Sequence, residues 1–361
     1  MAGLSRGRGH RLTAAVLAGP ALAADAAGSP GLQMTADELL AVSDLRVTFR
    51  TRLGTVYAVQ GVSFTVEPGR TLALIGESGS GKTVTAQAVM GLLPASAEVL
   101  GSIRFKGEEM VGRSADDLRD YRGRCVAMVF QNPERSLNPT MRIGTQITEA
   151  IQSHLDVSRQ QARERAIELL QMVRMPAAQR RFYEYPHQLS GGMRQRVVIA
   201  IALASRPEVL IADEATTALD VTTQAQIMDL LLDLQQQTGT ALVMISHDLG
   251  LAASYAEEVI VMYAGKVVER APTKELFGGV RMPYTQALLQ AIPRIELEPH
   301  VLLPVVGGRP PDLSVIPPGC PFAPRCPDVQ QDCREQAPAL REGEAGHWWA
   351  CWHPCTKGSA R

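Results

Sequence analysis

Two stretches of this 361-residue chain have residue types and spacings suited to chemistry on phosphates. The first is Gly76-Glu77-Ser78-Gly79-Ser80-Gly81-Lys82-Thr83, which has the pattern G-x-x-x-x-G-K-[ST]. It follows Thr71-Leu72-Ala73-Leu74-Ile75, an apolar run that reads as a buried strand, and precedes Val84 to Leu93, which reads as a helix. In that setting the glycines permit a sharp turn, the loop N–H groups face an anion, and the helix N-terminus adds its positive dipole. Lys82 can reach the β- and γ-phosphates of a nucleotide, and the Thr83 hydroxyl can ligate Mg²⁺. The second stretch is Val209-Leu210-Ile211-Ala212-Asp213-Glu214, a buried strand that ends in two acids. Two acids at a strand end are ordinarily just solvated. Beside a phosphate loop they can organise a cation and an attacking water.

A third motif gives the first two a context. Leu189-Ser190-Gly191-Gly192-Met193-Arg194-Gln195-Arg196 leads into an apolar, helix-like run. A lone Ser-Gly-Gly is more often a simple helix N-cap. Here the Ser190 hydroxyl and the Gly191 and Gly192 amides at a helix start make a second anion site. Leu-Ser-Gly-Gly in this order resembles the signature of the ATP-binding-cassette (ABC) family. The resemblance implies that two cassettes sandwich two ATP molecules, each signature capping the γ-phosphate held by the partner's phosphate loop. It implies that Asp213 organises Mg²⁺ through water and that Glu214 is the base. Three further residues take roles by the same resemblance: Gln131 as the lid glutamine that senses Mg²⁺, Asp220 in the loop that signals between sites, and His247 as the switch histidine on the γ-phosphate. Tyr57 is the aromatic expected to stack on adenine, with Phe49 the alternative.

Composition bounds what else the chain can be. Lys and Arg number 36 against 37 Asp and Glu, a formal net charge of −1, so there is no electrostatic case for nucleic acid as a partner. No apolar run approaches the about 18 residues a membrane span needs. At the N-terminus Arg6, Arg8 and Arg11 precede apolar Thr13 to Ala24, and Ala21-Leu22-Ala23 resembles a cleavage site. An ATPase requires cytosolic ATP, so residues 1–33 are read as a disordered leader or an overlong start, with Met34 as the true one.

The elements that must position the motifs follow from periodicity. Leu45, Val47 and Phe49 alternate with polar residues, as does part of Val56 to Val66, giving half-buried antiparallel strands. Strand runs recur at Val126 to Phe130, Val209 to Ala212, Ala241 to Ile245 and Val259 to Met262. Helical spacing at Ile227, Leu230, Leu231 and Leu234 separates two of them. Strands alternating with helices imply a parallel sheet covered on both faces. The fold class is therefore α/β: a phosphate-loop ABC nucleotide-binding domain over residues 34–276, with an antiparallel β subdomain and a helical subdomain about 136–196. After Phe277 prolines cluster, and residues 277–361 read as a small, loop-rich extension.

That extension holds five of the six cysteines, Cys320, Cys326, Cys333, Cys351 and Cys355. Their clustering in a chain expected in the cytosol argues for metal over disulfides. The spacing lacks the paired C-x-x-C of zinc sites and suits an iron–sulfur cluster at least as well. Gly319-Cys320-Pro321-Phe322-Ala323-Pro324-Arg325-Cys326-Pro327 and Met282-Pro283-Tyr284-Thr285-Gln286-Ala287-Leu288-Leu289 are similar to the C-terminal region of dipeptide, oligopeptide and nickel importer ATPases. So are Glu77 in the phosphate loop and Met193-Arg194-Gln195-Arg196. Some members of that group carry a [4Fe–4S] centre, which implies Cys320, Cys326 and Cys333 as ligands with Cys351 or Cys355 as the fourth.

The resemblance implies an ATPase subunit of a peptide importer, using ATP and Mg²⁺, peripheral on the cytoplasmic face of the cell membrane. Its implied partners are two transmembrane permease subunits, a second cassette (a paralogue or another copy) and, indirectly, an extracytoplasmic solute-binding protein. The groove near Gln131 and Ser136 to Pro139 is where permease helices are expected to dock. The rival readings are the same role for nickel or another small solute, and a soluble ABC-type ATPase in DNA repair or translation. The single cassette and the absence of sustained heptads count against the latter.

Overall fold

The computed structural model describes residues 38–52, 54–216, 219–292 and 306–356. The leader expected over residues 1–33, with Met34 as a start, lies outside them. In chain order the strands are β1 (Leu40–Thr51), β2 (Gly54–Val66), β3 (Thr71–Ile75), β4 (Ala97–Phe105), β5 (Glu108–Glu109) and β6 (Val126–Val129). They continue with β7 (Val209–Asp213), β8 (Ala241–Ser246), β9 (Glu258–Tyr263), β10 (Lys266–Pro272), β11 (Arg341–Glu342) and β12 (Trp348–Trp349).

Among the described residues these strands form two sheets. One is antiparallel, in the order β2-β1-β4-β5. The other runs β11-β12-β10-β9-β3-β8-β7-β6 and is parallel from β9 to β6. Every residue of β3, β6, β7 and β8 is buried. Continuous apolar strands suit a parallel sheet because helices cover both of its faces. One face packs against the helical part through Ile143, Ile147, Leu169 and Leu170, and the other against the antiparallel sheet through Val42, Val62 and Phe64. In register, Leu74 of β3 lies beside Ile245 of β8, and Asp213 of β7 lies beside Ile245 from the other side. The phosphate loop and the two acids therefore leave the sheet at the same carboxyl edge, where open α/β sheets bind ligands.

The local signals explain the helix limits. The helix after the phosphate loop spans Lys82–Val89, ending earlier than the Leu93 the sequence suggested. Gly91 adopts φ +60° and Pro94 follows, and neither can continue a helix. Helix Val221–Thr238 begins at the Asp220 cap and stops at Gly239, φ +69°. The helical subdomain comprises Ile143–Gln152, Arg159–Met172, Ala178–Arg181 and Gly191–Ala202. Its second helix opens on a capping box between Ser158 and Gln161.

The boundary expected near residue 277 does not separate two bodies. Trp349 and Trp348 of β12 pair with Glu269 and Arg270 of β10, so the extension lengthens the main sheet. Tyr284 and Phe322 are among the largest fully buried side chains and belong to the main core. Glu269, with no exposure, accepts from the Arg281 and Met282 amides (2.6 and 3.2 Å) and lies 2.8 Å from His347 Nε2. The extension packs its apolar side chains into the main core and completes the sheet edge.

Candidate nucleotide site and thiol cavity

The phosphate loop is shaped by close backbone approaches. A Cβ on Gly76 would stand 2.2 Å from the Met262 carbonyl, and one on Gly81 would stand 2.6 Å from the Ala58 carbonyl, at φ +103°. Glycine is required at both. Lys82, 4 % exposed, donates to the Gly76 and Glu77 carbonyls at 2.7 and 2.9 Å and to Ser80 Oγ at 3.4 Å. Burial pulls its pKa below the usual lysine value, while Glu214, Asp213 and Glu77 oppose that shift.

The two acids take different settings. Asp213 is buried, and burial raises its pKa, with the Thr83 hydrogen bond opposing and the Glu214 charge adding to the rise. Thr83 Oγ1 donates to Asp213 Oδ1 at 3.1 Å. Glu214 adopts φ +46°, a left-handed conformation that a non-glycine residue holds only when its surroundings enforce it. Its amide donates to the Ile245 carbonyl of β8 at 3.0 Å. Gln131 Nε2 donates to Glu214 Oε2 at 2.6 Å, and His247 Nδ1 lies 3.8 Å from Oε1. Thr83, Asp213 and the Gln131 carbonyl make a hard oxygen donor set that suits Mg²⁺.

Lys82, Thr83, Gln131, Glu214 and His247 line a cleft of about 620 Å³ whose walls also include Ser78, Gly79, Ser80 and Gly81, and Asp213 stands behind Thr83. Its apolar lining includes Phe49, Val56, Ala58 and Leu313. Tyr57, expected to stack on adenine, is not on this wall. It alternates with Val56 and Ala58 along β2, so its side chain takes the opposite face. Phe49 is the cross-strand partner of Val56 and shares its face. Leu313 carried no signal in the sequence. It comes from the extension, and its carbonyl accepts from the Tyr57 amide at 2.9 Å.

The signature residues lie elsewhere. Ser190 caps helix Gly191–Ala202, its Oγ accepting from the Met193 amide at 3.4 Å, and neither it nor Gly191 or Gly192 lines the cleft. Asp220 accepts from the Thr223 amide and hydroxyl at 2.9 and 2.7 Å. A Cβ on Gly192 would meet Thr223 Cγ2 at 2.7 Å. The Asp220 cap and the signature therefore share one packed contact.

The cysteines separate cleanly. Cys320, Cys326, Cys333 and Cys351 line one small cavity, together with Phe322 and Met282. Cys355 is not on that wall, and its thiol donates to Gln286 Oε1 at 3.0 Å. Burial raises Cys320, and pushes Cys326 to about 11, Cys351 to about 12 and Cys355 to about 11. Among the described residues Asp332, Cys333 and His353 also bring three ligand atoms within 4.8 Å of one another, at the edge of this cavity. Four sulfurs facing one apolar cavity fit a thiolate-bound centre by donor type and arrangement.

Comparison with known proteins places the chain. Residues 59–217 match the ABC transporter family, and residues 268–333 match the oligopeptide/dipeptide transporter C-terminal region. The oligopeptide transport ATP-binding protein OppD of Escherichia coli is 46 % identical over 325 residues, covering 90 % of this chain and 96 % of that protein. The dipeptide transport ATP-binding protein DppD of Bacillus subtilis is 46 % identical over 318 residues, covering 88 % and 95 %. OppD of Mycobacterium bovis is 49 % identical over 314 residues, but the chain spans only 51 % of its length. A bacterial ABC transporter cassette solved as a dimer superposes with a TM-score of 0.58 at 28 % identity, covering 65 % of this chain and 98 % of that one. Among the described residues no helix is long and apolar enough to cross a membrane. On this sequence identity and coverage, the chain belongs to the ABC transporter ATPase family, in the group that carries the oligopeptide/dipeptide transporter C-terminal region.

Proposed function

We propose that the chain is the ATP-binding and ATP-hydrolysing subunit of an importer for di- and oligopeptides. The observation that carries this reading is Glu214, hydrogen-bonded by Gln131 and with His247 nearby, in a cleft lined by the phosphate loop. Relatives named for oligopeptide and dipeptide transport support the cargo.

The residues divide the work. The loop amides and Lys82 hold the β- and γ-phosphates, so the Lys82 ammonium exchanges its carbonyl partners for phosphate oxygens. Thr83, Asp213 and Gln131 would hold Mg²⁺, which would supply charge neutralisation on those oxygens. Glu214 accepts a hydrogen bond from the attacking water and aims it at the γ-phosphorus, with Gln131 fixing the carboxylate and His247 beside it to contact the γ-phosphate. Phe49, Val56 and Ala58 face the base. Ser190, Gly191 and Gly192 cap the γ-phosphate of a second cassette, whose own signature completes this cleft. The pair closes because ATP binds the closed arrangement better than the open one, and hydrolysis reopens it.

Two permease subunits on the cytoplasmic face of the membrane dock near Gln131 and Ser136 to Pro139. A groove lined by Met128, Phe130, Ala150 and Ile201, with Phe130 41 % exposed, includes none of those residues but lies next to Gln131 in sequence. A solute-binding protein delivers the peptide from the other side. Cys320, Cys326, Cys333 and Cys351 would hold an iron–sulfur cluster, with Cys355 outside the ligand set. Such a cluster would tie these four cysteines together and could exchange one electron.

Steady-state ATPase assays with the Glu214→Gln variant test the catalytic assignment. The variant should bind ATP normally and hydrolyse it about 10²–10⁴-fold more slowly. Hydrolysis at the wild-type rate would remove Glu214 as the base.

A further inference from the structure

The C-terminal extension reaches into the nucleotide site through one side chain that no motif accounts for. Arg325 is 3 % exposed, and all five of its N–H donors are taken. Its Nη1 and Nη2 grip the carboxylate of Glu77, inside the phosphate loop, at 2.6 and 2.9 Å. Nη1 also donates to the Tyr263 hydroxyl at 3.2 Å, Nη2 to the Val306 carbonyl at 3.0 Å, and Nε to the Gly307 carbonyl at 2.7 Å. The guanidinium lies near the rings of Tyr263 and Phe322, with 5.7 and 5.9 Å to the centroids. A parallel fork of this kind fixes both partners in orientation as well as distance. The Glu77 amide is fixed as well, donating to the Tyr284 hydroxyl at 2.9 Å.

Two further connections leave the same side chain. Val306 and Gly307 begin the segment that carries Leu313 to the apolar lining of the cleft. Cys326, the next residue in the chain, lines the thiol cavity, and so does Phe322. Arg325 thus touches the phosphate loop, the root of the base wall and the edge of the cavity.

We propose that Arg325 is a positioning residue for the nucleotide site, acting through Glu77 and coupling the state of the cysteine-bearing extension to nucleotide affinity. The proposal rests on the reading of the cleft as a nucleotide site. Without Arg325, an unpaired Glu77 carboxylate stands in the loop that must accept a triphosphate, and the Val306–Leu313 segment loses its anchor. Coupling is reciprocal: whatever orders the extension tightens nucleotide binding, and nucleotide orders the extension.

The test combines binding and hydrogen exchange on the full chain, with MgADP as the probe. Dissociation constants are measured for wild type, Arg325→Met, Arg325→Lys, Glu77→Gln and the double variant Glu77→Gln/Arg325→Met. Arg325→Met should weaken MgADP binding by about 5- to 150-fold, the usual span of such couplings. Arg325→Lys should restore only part of the loss. The double variant should bind better than Arg325→Met alone, because no unpaired carboxylate remains. Equal affinity of Arg325→Met and wild type, or strictly additive losses in the double variant, would overturn the proposal. Failure of wild type to bind MgADP would instead overturn the nucleotide reading itself. Should Arg325→Met not fold, amide exchange in wild type and Glu77→Gln decides. MgADP should slow exchange across residues 306–326 in wild type and protect them less in Glu77→Gln. Identical exchange with and without MgADP in wild type would contradict the coupling.

Discussion

The cleft and the thiol cavity each gather reactive side chains around a concave space, and they are assembled in opposite ways. The cleft sits at the carboxyl ends of parallel strands, and its polar groups are already hydrogen-bonded to one another: Lys82 to the loop carbonyls, Thr83 to Asp213, Gln131 to Glu214. The cavity sits in the extension, and burial keeps the Cys320, Cys326 and Cys351 thiols protonated. A site on a rigid sheet edge can be preorganised without its ligand. A cluster of buried thiols acquires its charged form only as a metal displaces the protons.

The largest effect that would break this comparison concerns the fourth sulfur. Cys351→Ser should abolish iron retention by protein purified without oxygen, while Cys355→Ser should retain it, as read by metal analysis and visible absorption. The reverse outcome would move the site off the cavity described here. A smaller effect separates the two aromatics of the cleft. Phe49→Ala should cost about 1–3 kcal/mol of ATP binding, the worth of one base stacked on a ring. Tyr57→Ala should stay within about 0.5 kcal/mol, as for surface substitutions away from any site. Titration with a fluorescent nucleotide distinguishes them, and equal losses would return Tyr57 to the base wall.

The smallest effect sharpens the electrostatic contrast. With the Cys351 thiol pushed to about 12, its thiolate fraction grows tenfold per pH unit throughout pH 7 to 10. Alkylation of Cys351 in metal-free protein, followed by peptide mass, should therefore keep rising across that whole range. A thiol of ordinary pKa, about 8.5, levels off above its pKa. Because the raised pKa favours the protonated form, metal affinity should rise with pH as well. A plateau near pH 9 would contradict the burial argument.

Legibility in the sequence followed contiguity. Gly76 to Thr83, Ser190 to Gly192 and Asp213-Glu214 are local runs whose geometry is set by their own backbone, and the meeting of the first and last at one sheet edge followed from strand alternation. Gln131, His247 and Asp220 needed the family resemblance, since a single residue after a strand has no spacing to read. The apolar wall of the cleft was legible only in part, with Phe49 named as the alternative to Tyr57 and Val56 and Leu313 unmarked. Phe49, Val56 and Leu313 meet only because β1 pairs with β2 and the Leu313 carbonyl bonds the Tyr57 amide. The Arg325–Glu77 fork spans 248 positions in sequence, and nothing in the residues around Arg325 names its partner. The extension read as a separate piece because its prolines and cysteines break periodicity. The two-residue strand β12 that joins it to β10 is too short to show a pattern.

The central claim is that this ATPase works on a membrane transporter. Affinity purification of the chain from gently solubilised membranes, with co-purifying chains identified by mass spectrometry, tests that claim most directly. Two multi-span permeases, a second cassette and a solute-binding protein with a peptide bound are the expected result. Recovery of soluble partners alone, with no permease and nothing retained by the membrane, would contradict it.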